Sequence, residues 1–474
     1  MKKMGSHKKE GNKNINKTEK IKIEKINNIL KHVLKEVKPD ENEIASANGI
    51  SNNVMERLKE VSPKDVKIIL AGSVARGTQI RGNSDIDIFL LFPKGADERK
   101  MEMKGLGIAK KIVDKHAGET FIIKYAEHPY LQLLMKNPPI KVDIVPAFFI
   151  RDSFEMGSAV DRTQLHNEFV MEHLDVTHKD HVRLIKSFMK FHNIYGANAE
   201  IEGFSGYLCE LLVYHFGSFT KVLQAFSEAK PRIYLNPKDR SDIKDAESIK
   251  RFNSNFVVID PTDQNRNVAA GVSAESLARF IALSRKFLSN PSINLFYGVR
   301  YSDIDSKYKI NSIRNALGSD VYVLCFKVLE VSDDILWQQV KKFGKRITKI
   351  LEENSFEPIL KIENIYKEDA IIAFFMGRYE LKSEIQNGPS VFLKEASDTF
   401  IKKHKYAYID GERFVATKKS GYPSPKELFM DITKNKNIAF PSYLKRKDTK
   451  LIINDIPENY AKMLYKKYTE KTNI

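Results

Sequence analysis

Two aspartates stand where an apolar β-strand tolerates them least. The run SDIDIFLLFP (Ser84 to Pro93) carries Asp85 and Asp87, with Ile86 and Ile88 at the alternate positions. Successive side chains of a strand point to opposite faces, so the carboxylates project together while the isoleucines go to a core. Such a pair is costly to hold on an apolar strand unless a cation sits between its members. A third carboxylate, Asp143, stands in an equally apolar run, IKVDIVPAFF (Ile140 to Phe149). If the two runs lie side by side, three carboxylates converge, as a two-metal phosphoryl transfer requires. Oxygen-only ligation suits Mg²⁺, with Mn²⁺ as the alternative. Just upstream, Gly72-Ser73-Val74-Ala75-Arg76-Gly77 reads as a Gly-Ser turn whose N–H groups and hydroxyl suit phosphates, with Arg76 a further charge. Taken singly, each aspartate reads as a turn cap or an edge-strand charge; the combination is what points to a metal site.

The periodicity around these motifs divides the chain. Residues 1–24 are rich in Lys and Asn and read as a disordered basic tail. Helical spacing sets in from Ile21 (IKIEKINNILKHVLKEV) as the entry to residues 25–155, which then change to β-rich runs, VKIILAGS, SDIDIFLLFP, ETFIIKYAEHPYLQLLM and IKVDIVPAFF. A helical segment falls between the second and third of these runs, so a small mixed α/β domain is expected. Residues 156–290 are mostly helical in pattern, interrupted by a polar segment at 230–255 that reads as a loop or insertion and by the strand-like FVVID. Residues 291–474 contain strand, helix, strand, strand in that order, which predicts a ferredoxin-like module followed by a tail with a basic helical end. The fold class expected is α+β, multidomain.

A formal charge of +17 and a pI near 9.4 favour a polyanionic partner, because cations placed near phosphates release condensed counterions. Cys209 and Cys325 are the only cysteines and both lie in apolar surroundings, which leaves neither a disulfide framework nor a cysteine metal site. No apolar run is long enough to span a bilayer, and the basic N-terminus lacks the hydrophobic stretch of a secretory signal. No membrane association and a cytoplasmic location are therefore expected.

GSVARGTQIRGNSDIDIFLLFP followed by KVDIVPAF resembles the signature of the DNA polymerase β-type nucleotidyltransferase superfamily. DRTQLHNEFV, RLIKSFMKFHNIYGANAEIEGFSGYLCELLVYHFGSF, VVIDPTDQNRNVAAGVS and the late NGPSVFLKEASDTFIKKHKYAYIDGERFVATKK are similar to blocks of the archaeal, class I CCA-adding enzymes. The resemblance implies a polymerase β-like catalytic domain, a helical central domain and a C-terminal tRNA-binding body and tail. It implies template-independent addition of CCA to tRNA from CTP and ATP, and a homodimer. Asp85, Asp87 and Asp143 would be the catalytic, Mg²⁺-binding carboxylates, and Ser73 and Arg76 would contact the nucleotide phosphates. Thr163, His166, Lys186 and Tyr195 would surround the incoming nucleotide, and Arg266 would help select its base. From the residues alone, His166 reads as readily as a surface histidine, Lys186 with Lys190 as a solvated basic stripe, Tyr195 as a packing residue and Arg266 as a structural arginine. The family favours Glu at the first acidic position, where this chain has Asp85. A poly(A) polymerase or other RNA-tailing enzyme of the same superfamily would share the carboxylates, and a non-catalytic RNA-binding protein on a decayed version of the fold would be expected to lose one.

Overall fold

The computed structural model describes residues 17–472, apart from 83–84, 96, 115, 126–127, 137, 156–157, 159, 240, 243–250, 298–305, 378–382, 420 and 436–437. The chain forms two compact units, one up to residue 299 and one spanning residues 300–473.

The first unit begins with α1 (Lys17–Val37) and α2 (Glu41–Val61), followed by β1 (Lys67–Ala71), the short α3 (Gly72–Arg76), β2 (Ile86–Phe92), α4 (Glu98–Lys111), β3 (Thr120–Tyr125), β4 (Pro129–Leu134) and β5 (Lys141–Phe148). Asp40 starts α2 with a capping box: its side chain accepts from the Glu43 N–H, and the Glu43 carboxylate accepts from the Asp40 N–H. The five strands form one sheet in the order β1-β2-β5-β4-β3, in which β2 and β5 run parallel and the other neighbours are antiparallel. Val54 and Leu58 of α2 and Met101 and Ile108 of α4 bury one face against Ile86, Ile88, Leu90, Val142 and Ile144. The other face carries Asp87 in the same row as Phe89 and Leu91. The strand begins at Ile86, so Asp85 sits just ahead of it and is exposed.

The helical part of this unit comprises α5 (Arg162–His173), α6 (Val176–Phe191), α7 (Gly206–Phe216), α8 (Phe219–Ser227) and a helix at Ala274–Ser289. The apolar stretch around Cys209 forms two helices: Gly217 closes α7 at φ 90°, a left-handed conformation costly for a side chain, and the Ser218 hydroxyl caps α8 through the Lys221 N–H. The polar segment at 230–255, expected as a loop or insertion, supplies β6 (Ile233–Asn236) and β7 (Ser241–Asp242) to a four-stranded sheet ordered β7-β6-β8-β9, with β8 at Phe256–Asp260 and β9 at Asp263–Asn267. The aromatic rings of Phe188, Phe219, Phe287 and Phe296 meet edge-on in the core of this region. Ile26, Leu30, Val33 and Val37 of α1 belong to the same core. Helix α1 therefore completes the helical region and not the sheet it precedes, although its residues from 25 on were expected in the mixed α/β domain. It also starts at Lys17, so the expected tail narrows to residues 1–16, which lie outside the described residues.

In the second unit, β10 (Ser319–Val328), the helix Asp333–Glu353, β11 (Pro358–Tyr366), β12 (Asp369–Gly377), the helix Pro425–Lys434 and β16 (Leu444–Ile453) form a fully antiparallel sheet ordered β11-β12-β10-β16 with two helices. This is the ferredoxin-like β-α-β-β-α-β arrangement. Between β12 and its second helix lies a three-stranded sheet of β13 (Ser383–Ser390), β14 (Tyr408–Asp410) and β15 (Arg413–Lys419), with the helix Lys394–Lys403. The helix Glu458–Thr472 follows, packing Ala461 and Leu464 on the Val321, Val323 and Phe375 side of the main sheet. Both cysteines are buried and unpaired. Among the described residues no helix is long and apolar enough to cross a membrane.

The ring cluster makes Phe188→Ala the sharpest test of the helical core. The side chain is fully buried, and its loss should cost about 3–5 kcal/mol in chemical denaturation. A loss below about 1 kcal/mol would show that these rings do not carry the core.

Candidate active site

The parallel pairing of β2 with β5 sets Asp87 directly beside Asp143, and β1 places Ala71 opposite Asp87 on the other side. Gly72 follows at φ 70°, and a Cβ built there would lie 1.8 Å from Asp87 Oδ2. Glycine is needed twice over, for the left-handed turn and for the room that the carboxylate occupies. Gln132 on β4 donates from Nε2 to Asp143 Oδ1 at 2.7 Å and orients that side chain. Burial, and after it the charge of Asp143, push the Asp87 carboxyl up to about 6. Burial also raises that of Asp143, against the hydrogen bond from Gln132. Two half-buried carboxylates in adjacent register, both disfavoured as anions, are a donor set suited to a divalent cation, which would stabilise both as anions. Asp85 stands within electrostatic reach of both.

The oxygens of Asp85, Asp87 and Asp143 are nonetheless not closed into one tight trio. Among the described residues, the group whose ligand atoms all lie within 4.8 Å of one another is Glu98, Glu102 and His128, on α4 and just before β4. There His128 Nδ1 stands 2.8 Å from Glu102 and 3.4 Å from Glu98, distances that a salt bridge accounts for.

The segment after α3 is clamped to the helices. Arg183 of α6 donates to the carbonyls of Gln79 (3.0 Å) and Gly77 (2.5 Å). Lys186, one helical turn on and almost fully buried, reaches Thr78 Oγ1 at 3.0 Å and Glu210 Oε1 at 3.2 Å. Arg76 also ends on Glu210, 3.1 Å from Oε2, and bonds Asn167 Oδ1 at 3.1 Å. Burial would push the Glu210 carboxyl up, but Arg76, Lys186 and the Thr78 hydroxyl hold it below the ordinary range. Two buried cations thus share one carboxylate, and burial lowers the Lys186 ammonium below its ordinary range. The Tyr195 hydroxyl and Lys186 Nζ both flank Gly206 at the start of α7, where a Cβ would stand 3.2 and 3.6 Å from them.

A second network centres on Asp260. His166 Nε2 lies 2.9 Å from its Oδ2, Arg266 donates to the same oxygen at 2.8 Å, and the His166 ring stacks on Tyr207 at 3.8 Å. Arg266 lines a cavity of about 900 Å³ together with Arg162, Ser205, Asn265 and Gly271. The side chains expected at the site therefore gather in three groups: the carboxylates, Arg76 with Lys186 and Tyr195, and His166 with Arg266. Ser73 and Thr163 are half-buried on α3 and α5. Sequence reading missed Glu210, Asp260, Gln132, Thr78 and Asn167. The first two had a signal, a lone acid inside an otherwise apolar run (GYLCELLVYHF and FVVID), of the same kind that singled out Asp143.

Three family models match the chain: a nucleotidyltransferase domain over residues 51–166, the second domain of tRNA nucleotidyltransferase over 180–297, and the C-terminal domain of CCA-adding enzyme over 317–447. A CCA-adding enzyme of Methanocaldococcus jannaschii is 34% identical across 90% of this chain and 95% of its own length. The chain belongs to the CCA-adding enzyme family. A second family member, from Methanosarcina acetivorans, is 31% identical over 84% of this chain and 87% of its own. Among solved structures, the Cid1 poly(U) polymerase aligns over 58% of this chain and 96% of its own with 15% identity and a TM-score of 0.45. Members of the nucleotidyltransferase fold work with a divalent cation, which the all-oxygen donor set on β2 and β5 fits.

Gly72→Ala tests the geometry. The methyl group must displace Asp87 or the turn, and a shift of about 1 Å at a reacting centre costs about 100-fold in rate. Nucleotide incorporation should fall by that order in a variant that still folds; an unchanged rate would show that Asp87 need not hold this position.

Proposed function

We propose that this chain builds the CCA end of tRNA, adding C, C and A in turn from CTP and ATP without a template strand. What supports this most is the assembly, in one compact unit, of paired carboxylates beside a buried cluster of two cations sharing one acid. The reaction is attack of the tRNA 3′-terminal hydroxyl on the α-phosphorus of the nucleotide. The hydroxyl gives up its proton to solvent, a new ester bond forms to the α-phosphorus, the bond from that phosphorus to the oxygen bridging to the β-phosphate breaks, and pyrophosphate leaves.

Asp85, Asp87 and Asp143 would hold Mg²⁺, in our reading two ions, which would supply positive charge against the triphosphate and lower the pKa of the attacking hydroxyl. Gln132 keeps Asp143 turned to its task, and Gly72 leaves Asp87 room. Ser73 and the backbone of α3 meet the phosphates, and Arg76 and Lys186 supply positive charge that Glu210 only partly answers. Thr163 and Tyr195 line the nucleotide's path. Arg266 presents N–H donors to the base, His166 sitting at its side. Cytosine N3 and adenine N1 accept hydrogen bonds where uracil N3–H and guanine N1–H donate, so a fixed donor favours C and A over U and G.

The tRNA is gripped in this reading by the second unit, through backbone phosphates and the shape of its acceptor arm. Of the basic residues near the end, Lys445, Lys447 and Lys450 are exposed on the edge strand β16 and suit that role. Arg446 is tied to the carbonyls of Asn435 and Ile438 and lies 4.5 Å over the Phe440 ring, and Lys466 and Lys467 pair with Glu470. These three are structural in part. The enzyme would act in the cytoplasm.

The deciding experiment incubates the protein and Mg²⁺ with labelled CTP or ATP and tRNA transcripts ending before CCA, after C, or after CC. CTP should be used on the first two and ATP only on the third. Long A or U tails on any RNA would make it a tailing polymerase, and no incorporation at all would overturn the enzymatic reading.

A further inference from the structure

Asp260 closes β8 after four buried apolar residues, and its side chain has no exposed surface. Its two oxygens collect every bond a carboxylate can readily accept. Oδ1 takes the Thr262 N–H at 3.0 Å, the Thr262 hydroxyl at 2.8 Å and the Tyr207 hydroxyl at 3.1 Å. Oδ2 takes Arg266 NH1 at 2.8 Å and lies 2.9 Å from His166 Nε2. Tyr207 in turn stacks on His166, so strand end, turn, α5, α7 and β9 all meet at this one acid. Arg266 itself is about one-third exposed and lines the 900 Å³ cavity.

An arginine on a short strand at a cavity wall has several rotatable bonds, and an unanchored guanidinium could turn to suit either a ring acceptor or, by withdrawing, a ring donor. Discrimination by a donor works only if the donor cannot move away, because only then is the wrong base left with an unpaired or opposed group. We infer that Asp260 is a positioning residue for base selection, fixing the guanidinium of Arg266 so that C and A are accepted and U and G refused. This rests on the assignment of Arg266 to the base. Asp260 does not touch the nucleotide; it acts through Arg266, with Tyr207 and Thr262 holding the carboxylate from behind.

The test measures kcat/KM for CTP and UTP on a tRNA transcript lacking CCA, and for ATP and GTP on one ending in CC, for the wild type, Asp260→Asn, Thr262→Val and Arg266→Ala. Loss of a charge-assisted bond should lower the CTP:UTP and ATP:GTP ratios about 10- to 100-fold in Asp260→Asn. Thr262→Val removes one of the three bonds to Oδ1 and should lower the same ratios about fivefold, and it serves if Asp260→Asn does not fold. The double variant Asp260→Asn/Arg266→Ala should discriminate no worse than Arg266→Ala alone, as expected of two residues acting as one. A merely structural role would lower stability and all four rates together and leave the ratios unchanged. Ratios that fall in Arg266→Ala but stay at the wild-type value in Asp260→Asn and Thr262→Val overturn this inference alone. Ratios that stay unchanged in Arg266→Ala overturn the assignment of Arg266 and the inference with it.

Discussion

The parallel pairing of β2 with β5 is the constraint on which the candidate site depends. Asp87 and Asp143 lie far apart in sequence, and only this register makes them neighbours across a strand pair. A slip of one residue would turn one of them into the core among Ile86, Ile88 and Val142. The register is protected on the buried face by those branched side chains and the helices α2 and α4 that cover them. On the opposite face it costs the fold two like charges held partly out of water, which is why the Asp87 carboxyl titrates unusually high and why a cation suits the place. The ligand chemistry and the strain therefore have the same origin.

The same economy governs the cationic side of the site. Burying Arg76 and Lys186 would be prohibitive were Glu210 not between them, and leaving Arg266 loose at a cavity wall would forfeit its direction were Asp260 not behind it. Each acid sits in an apolar element of the helical region and reaches out to a residue elsewhere, Glu210 to Arg76 beside the sheet and Asp260 to His166 and Arg266. Helix α1, packed into the helical core ahead of the sheet in sequence, shows that the two regions of this unit are interleaved along the chain.

Much of this was legible in the sequence because its signals are local. The strand carrying Asp87 and the strand, helix, strand, strand succession of the ferredoxin-like module follow from periodicity and turn residues, whereas Asp85 falls just ahead of its strand and the expected Gly-Ser turn is the short helix α3. The role of α1 was not legible: its apolar stripe says that it packs, but not on what, and adjacency suggested the sheet. The strand β6 was hidden in a polar segment because only four residues pair, and parallel pairing with β8 is a tertiary event. Glu210 and Asp260 carried a visible signal, an acid in an apolar run, but their partners lie 134 and 94 residues away, at Arg76 and His166. No spacing rule connects residues so distant.

The most direct measurement asks which carboxylates hold the divalent cation, by titrating Mn²⁺ into the protein with CTP present and following binding by calorimetry. Binding should be lost in Asp87→Asn/Asp143→Asn and kept in Glu102→Gln. The opposite pattern, binding kept without the strand aspartates and lost with Glu102, would place the ion among Glu98, Glu102 and His128 and contradict the account.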